Sequence, residues 1–280
     1  MKPEVMGFFV EFYGLGSFER SLNATFLVLV PKKRGTDDLK DFRPISLVGG
    51  LYKLLAKVLV NRFKKVVGFL VSDFQHAFVA GRQILDVMLI ANEAIDHRIK
   101  DNLRGVLCKL DIKKASGHVN WNFILAIMEK MGFCSKWTGW IRWCISTARF
   151  FVLVNDSLSG FFHNSRGLRQ GDPLSPYLFI LAKETLSHLL SSAKEDSFIN
   201  GFLVRGRNGV GVVSHLFANN TLILCNASKE NLEYLSWVFM WFEACSGLKI
   251  NLRKSEIIPV GNVPNLEELA NVLECKVRTT

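Results

Sequence analysis

Residues 210–225, VGVVSHLFANNTLILC, constrain this fold more than any other stretch of the chain. Two apolar runs flank Asn219 and Asn220, and asparagine tolerates the positive φ that tight hairpin turns need. The segment reads as a β-hairpin with both asparagines at its turn, which argues for an antiparallel sheet. Other strand candidates are short. They are TFLVLV (25–30) before Pro31, VLCKLDI (106–112), and FFVLVN (150–155) paired with the segment around GFFHN (160–164). Asn155, Asp156, Ser159 and Gly160 supply the turn of that second pair.

Between the strands the apolar period lengthens to that of a helix. Helices are expected over 51–67, 84–99, 120–131, 135–148, 173–194 and 229–245. Pro173 suits a first turn, and Gly247 stands where a C-terminal cap would follow the last helix. In 51–67, Leu51, Leu55, Val58 and Leu59 share one face and Lys53, Lys57 and Lys64 the opposite one. That lysine row is either a solvated face or a surface for a polyanion. A basic and polar loop, PKKRGTDDLKDFRP, occupies 31–44. Strands and helices alternate irregularly and no linker divides the chain, so the expected class is α+β.

Composition narrows the partners. The 280 residues are 49% hydrophobic and 21% charged, which is globular rather than disordered. The net charge of +10 favours a polyanionic partner, with nucleic acid the first candidate. Cysteines at 108, 134, 144, 225, 245 and 275 form no CxxC pair, so a zinc site is not expected. Most sit in apolar surroundings and fit a reducing compartment. The apolar stretch in MKPEVMGFFVEF meets Glu11 too early for a signal peptide, and no run reaches the ~20 residues of a membrane span. An intracellular protein is expected, with nothing to separate nucleus from cytoplasm.

Several segments taken in order resemble the reverse transcriptases of non-LTR, LINE-type retrotransposons, those of plants especially. They are LVPKKRGTDDLKDFRPISLVGGLYKLLAKVLVNRFK (29–64), SDFQHAFVAGRQILDVMLIANEAI (72–95), KLDIKKASGHVNW (109–121), SRGLRQGDPLSPYLF (165–179), HLFANNTLILC (215–225) and FEACSGLKINLRKS (242–255). The resemblance implies a right-hand polymerase with fingers and an antiparallel palm sheet backed by helices. It puts a fingers-like region with an N-terminal extension at about 1–105. The palm falls at about 106–260, with fingers elements interleaved. Little after Ser255 resembles a thumb, and no endonuclease or ribonuclease H segment is visible. The chain therefore looks like a partial domain of a longer element protein.

The resemblance also implies a chemistry. Such nucleotidyltransferases join a primer hydroxyl to an α-phosphate with two Mg²⁺ (or Mn²⁺) ions, roughly 3.5–4 Å apart, held by carboxylates. One carboxylate maps onto Asp111. The adjacent Asp pair of the family reads Asn219–Asn220 here, within Phe217-Ala218-Asn219-Asn220. Asparagine keeps size and turn preference but carries no charge, so metal binding is doubtful in this copy. Beside Asp111 the family's Lys-Ala-Tyr/Phe-Asp reads Lys114-Ala115-Ser116-Gly117. Ser116 is too small to form the floor that excludes a 2′-hydroxyl.

By the same resemblance Arg169, Gln170 and Gly171 lie against the incoming nucleotide and template. The plain alternative is a helix-entry loop with Asp172 near the N-cap. Arg43 and the bases at 32–34 would meet triphosphate or template phosphate. Either Lys249 or Lys254 is a candidate acid for the leaving group. The implied partners are RNA, RNA/DNA hybrid and deoxynucleoside triphosphates. The expected function is thus an RNA-directed DNA polymerase domain that has lost catalysis. The alternatives are a non-enzymatic RNA-binding remnant and a polymerase still active despite the asparagines.

Overall fold

The computed structural model describes residues 2–113, 115–154, 157–203, 211–212, 214–216 and 220–278. In chain order its elements are α1 (Lys2–Leu15), β1 (Ala24–Pro31), β2 (Phe42–Val48), α2 (Gly50–Leu70), α3 (Ile84–Lys100) and β3 (Gly105–Lys113). Then come α4 (Ala115–His118), α5 (Trp121–Lys130), α6 (Ser135–Ser146), β4 (Arg149–Val154), β5 (Ser157–His163) and α7 (Ser175–Glu195). Next are β6 (Phe202–Leu203), β7 (Gly211–Val212), β8 (Ser214–Leu216), β9 (Asn220–Asn226) and α8 (Lys229–Ser246). Last are β10 (Lys249–Ile250), β11 (Glu256–Val260), α9 (Leu266–Val272) and β12 (Lys276–Val277). The class is α+β, as expected.

The chain forms two compact units, one of residues 1–66 with 116–179 and one of 67–115 with 180–280. The first holds a sheet of order β2-β1-β4-β5, antiparallel except for the parallel β1–β4 pair. β2 lies in what reads as a polar loop followed by FRPISLV, because Arg43 and Pro44 break the apolar pattern. Proline is tolerated there because β2 is an edge strand. Gly160 lies at a register shift in the β4–β5 pair, a bulge rather than the expected turn. Residues 155–156 of that turn lie outside the described residues. α2 turns Tyr52, Leu55, Ala56, Leu59 and Phe63 into the core of this unit. The Phe63 ring stacks on Phe133 with centroids 5.6 Å apart.

The second unit holds a sheet of order β12-β11-β3-β9-β8, with β10 also paired to β3. Val106, Cys108, Leu110 and Ile112 are buried along β3, while Leu107, Lys109 and Asp111 between them are half-buried. The period of two thus sets Asp111 on the face opposite the packed apolar row. α8 buries Leu232, Leu235, Phe239 and Phe242. It starts with the Ser228 Oγ accepting from Asn231 N (3.2 Å) and ends at Gly247, whose φ of 73° is the left-handed cap the sequence announces. α1, β11 and α9 have no counterpart in the sequence reading. α7 begins at Ser175, two residues after Pro173.

Candidate active site

The hairpin that dominates the sequence pairs β8 with β9, Leu216 opposite Thr221. Residues 217–219 lie outside the described residues, so the Asn219 position does too. Asn220 is not a turn residue but the first residue of β9. On the other side of β9, β3 runs antiparallel in a register that sets Asp111 directly opposite Asn220. Positions 109 residues apart in sequence thus become Cα partners at the end of one strand pair.

A second element converges on Asp111 from across β3. Ile250 of β10 pairs with Ile112, and the chain then turns so that Asn251 N donates to the Asp111 carbonyl (2.7 Å). The Asn251 side-chain amide donates to Asp111 Oδ2 (3.0 Å). The buried Ser255 accepts from Asp111 N (3.3 Å) and donates to the Asn251 carbonyl (3.0 Å). One carboxylate oxygen of Asp111 is therefore already engaged by a neutral amide. Neither Asn251 nor Ser255 stands out in the sequence, although both lie within SGLKINLRKS. Only the β10–β3 pairing brings them to Asp111.

The two lysines of that segment differ. Lys249 Nζ lies 2.8 Å from Glu243 Oε2 in an ion pair. Lys254 is exposed and forms no ion pair among the described residues. Among the described residues no three His, Cys, Asp or Glu side chains gather so as to hold a metal ion.

In the first unit the loop before α7 closes over the free edge of β2. Ser46 N donates to the Gln170 carbonyl (2.7 Å). Gly171 follows at φ +106°, and a Cβ there would stand 2.8 Å from the Ser46 carbonyl oxygen. Only glycine allows both that φ and that approach. Beneath it the Arg169 guanidinium is buried and turned inward. It donates to Asn23 Oδ1 (2.6 Å), Thr25 Oγ1 (3.1 Å) and the Cys144 carbonyl (3.2 Å). It pairs with Asp172 Oδ2 (2.6 Å) and lies 4.2 Å from the centroid of the Tyr52 ring. The Tyr52 hydroxyl donates to the same Asp172 oxygen (2.6 Å), and Asp172 Oδ1 accepts from Leu174 N (2.9 Å). Burial first, and the Asp172 carboxylate second, hold the Tyr52 hydroxyl well above the ordinary phenol range. These contacts make Arg169 a buried strut of the loop.

Gln170 and Gly117 line a pocket of about 130 Å³ with Ser46, Trp121, Phe150 and Asn164. Trp121 Nε1 donates to the Gly167 carbonyl (2.6 Å), fixing one wall. The Ser116 side chain lies outside the described residues, although its backbone belongs to α4. Arg43 is exposed on β2. In the basic loop at 32–34, Arg34 is exposed and forms no ion pair among the described residues, whereas its neighbours are engaged. Lys33 pairs with Asp41 (2.9 Å), Lys32 donates to the Lys40 carbonyl, and Lys40 pairs with Asp38.

Comparison with known proteins gives these residues a context. Residues 30–266 match the family described as reverse transcriptase (RNA-dependent DNA polymerase). The chain is 26% identical over 261 residues to the transposon TX1 uncharacterized 149 kDa protein of Xenopus laevis, covering 93% of this chain and 19% of that protein. It is 26% identical over 233 residues to the Pol polyprotein of the type-1 retrotransposable element R2 of Popillia japonica, covering 83% and 31%. The chain therefore spans between a fifth and a third of these relatives. The telomerase of Candida tropicalis in complex with a telomeric RNA fragment shares the fold, with a TM-score of 0.59 at 14% identity over 85% of this chain and 41% of that one. The chain belongs to the reverse transcriptase (RNA-dependent DNA polymerase) family and is a domain of the kind found in non-LTR retrotransposons.

Proposed function

We propose that this domain has kept the fold and the nucleic-acid surface of its family and has lost nucleotide addition. The observation that carries the reading is the pairing of Asp111 with Asn220. Where the family sets carboxylates facing one another, a neutral amide-bearing residue stands opposite the one that remains. Reverse transcriptases work with divalent ions, and Mg²⁺ seeks several hard oxygen ligands, carboxylates above all. The donor set here does not fit a pair of such ions. Asp111 is the one carboxylate of the three, and its Oδ2 accepts from Asn251.

What the chain's own residues can still do is bind and orient. The pocket beside Gln170 suits part of a nucleotide, since glutamine offers both donor and acceptor and Gly171 brings backbone close. Arg43 is placed for phosphate, and Lys254, with no ion pair among the described residues, is freer to meet phosphate than Lys249, which pairs with Glu243. RNA, RNA/DNA hybrid and deoxynucleoside triphosphates are the proposed partners. The proposed fingers-like region spans about 1–105 and the proposed palm about 106–260, with some fingers elements interleaved in the latter.

Primer extension on an RNA template tests the reading. Neither Mg²⁺ nor Mn²⁺ should support synthesis by the chain as it stands. The Asn219→Asp/Asn220→Asp variant should regain divalent-ion binding, and with it at most partial activity, because Ser116 and Gly117 remain. Extension by the unaltered chain that disappears in Asp111→Ala would refute the loss of catalysis.

A further inference from the structure

α2 is the element whose exposed side the fold leaves least explained. Its inner face is packed, from Tyr52 through Leu55, Leu59 and Phe63. Its outer face carries Lys53, Lys57, Arg62, Lys64 and Lys65, all exposed. No acidic residue occurs anywhere in the helix, GLYKLLAKVLVNRFKKVVGFL. None of the five cations forms an ion pair among the described residues. In the 32–34 loop, by contrast, Lys33 pairs with Asp41 and Lys32 donates to the Lys40 carbonyl, while Arg34 forms no ion pair among the described residues. One of the three loop cations is thus ion-paired, and none of the five on α2 is, among the described residues.

The helix also orders that charge. At about 100° per residue, Lys53, Lys57 and Lys64 fall within about 40° of arc, in a row about 16 Å long. Lys65 lies about 100° round the helix from the middle of that row and Arg62 about 160°, at the other margin of the exposed side. The packed inner face holds the row on a rigid support, so its order need not be created on binding.

We infer that the outer face of α2 is a docking surface for the phosphate backbone of an RNA strand, contacted through Lys53, Lys57 and Lys64. This rests on the reading that the domain still engages RNA, and adds where it does so. A lipid surface is the other polyanion to weigh. The exposed apolar residues of α2 argue against it. Leu54, Val58, Val66 and Phe69 are 47%, 39%, 40% and 91% exposed, but Arg62 and Lys65 stand between Leu54 and Val58 on one side and Phe69 on the other. They make no continuous apolar stripe that a membrane interface would bury.

The test is binding of a labelled single-stranded RNA of mixed sequence to the full chain across salt concentrations. Each phosphate contact with a single strand contributes about 0.7 to the slope of log K against log salt. Lys53→Ala/Lys57→Ala/Lys64→Ala should lower the magnitude of the slope by about 2. Between 50 and 200 mM salt the wild-type affinity should then fall about 20-fold more than that of the variant. Alanine at exposed helix positions keeps the helix, and the corresponding triple arginine variant should retain binding. A Lys33→Ala/Arg34→Ala variant should change the slope by less than the α2 variant.

An unchanged slope in the α2 triple alanine, with RNA still bound, would overturn the surface and leave the RNA reading standing. Absence of any RNA binding by the wild type would overturn both. Loss of binding to vesicles containing phosphatidylserine in that variant, with RNA binding intact, would show a membrane surface instead.

Discussion

Removing the Arg169 guanidinium should be the most costly single change in the loop before α7. Arg169→Ala deletes the partner of Asp172 at a place where the two side chains are 5% and 4% exposed. It also strips the donors from Asn23 Oδ1, Thr25 Oγ1 and the Cys144 carbonyl, and the cation from the Tyr52 ring. Tyr52 OH still donates to Asp172, but one hydroxyl does not replace a charge. Breaking a buried pair by removing one partner costs about 3–5 kcal/mol, mostly from the charge left behind. For units of this size that corresponds to a fall in Tm of about 6–20 °C. Urea titration of wild type, Arg169→Ala, Asp172→Ala and the double variant measures it. The double variant should be less destabilised than the sum of the singles, because no uncompensated carboxylate remains. A loss under about 1 kcal/mol in Arg169→Ala, or strict additivity, would show that the guanidinium is solvated and that the strut does not exist.

Two further outcomes follow from the backbone and from burial. Gly171→Ala meets both a φ of +106° and the Ser46 carbonyl oxygen, so the Gln170 loop should detach from β2, seen as a lower Tm and faster exchange of the Ser46 amide. An unchanged melt and slow Ser46 exchange would contradict the close approach. Burial pushes the Lys183 ammonium down from its ordinary 10.5 to about 7, so the unfolded chain holds that proton more tightly than the folded one. Between pH 7 and 10.5 the unfolded state then binds more protons, and the Lys183 contribution to stability rises with pH across that window. Lys183→Met should flatten this rise and raise stability at pH 7, measured by denaturation at pH 7 and 9; an equal slope in both proteins would rule the burial effect out.

The sequence by itself determined the elements whose signals are local. The helix over 51–67, the capping glycine at 247 and the bounded strand VLCKLDI were legible because helix and strand signals act through near neighbours, although Val58 of the expected apolar face is exposed and Tyr52, Ala56 and Phe63 enter the core instead. Motif order also carried the family, since SRGLRQGDPLSPYLF and HLFANNTLILC keep their sequence whatever surrounds them. β2 was hidden because Arg43 and Pro44 interrupt its pattern, and an edge position alone makes them tolerable. Tertiary structure set what each candidate side chain touches. Arg169 reads as a nucleotide contact in sequence, yet pairing of its loop with Ser46 and packing of Tyr52 turn it inward. Asn251 is unremarkable in sequence, yet β10 delivers its amide to Asp111. The basic loop at 32–34 and the lysine row of α2 look alike as strings, yet Lys33 reaches Asp41 while no acidic side chain pairs with the α2 lysines among the described residues. For Arg169 and Asn251 the physical reason is the same. A side chain's role depends on partners far along the chain, and their meeting is set by strand register and burial, which no local window contains.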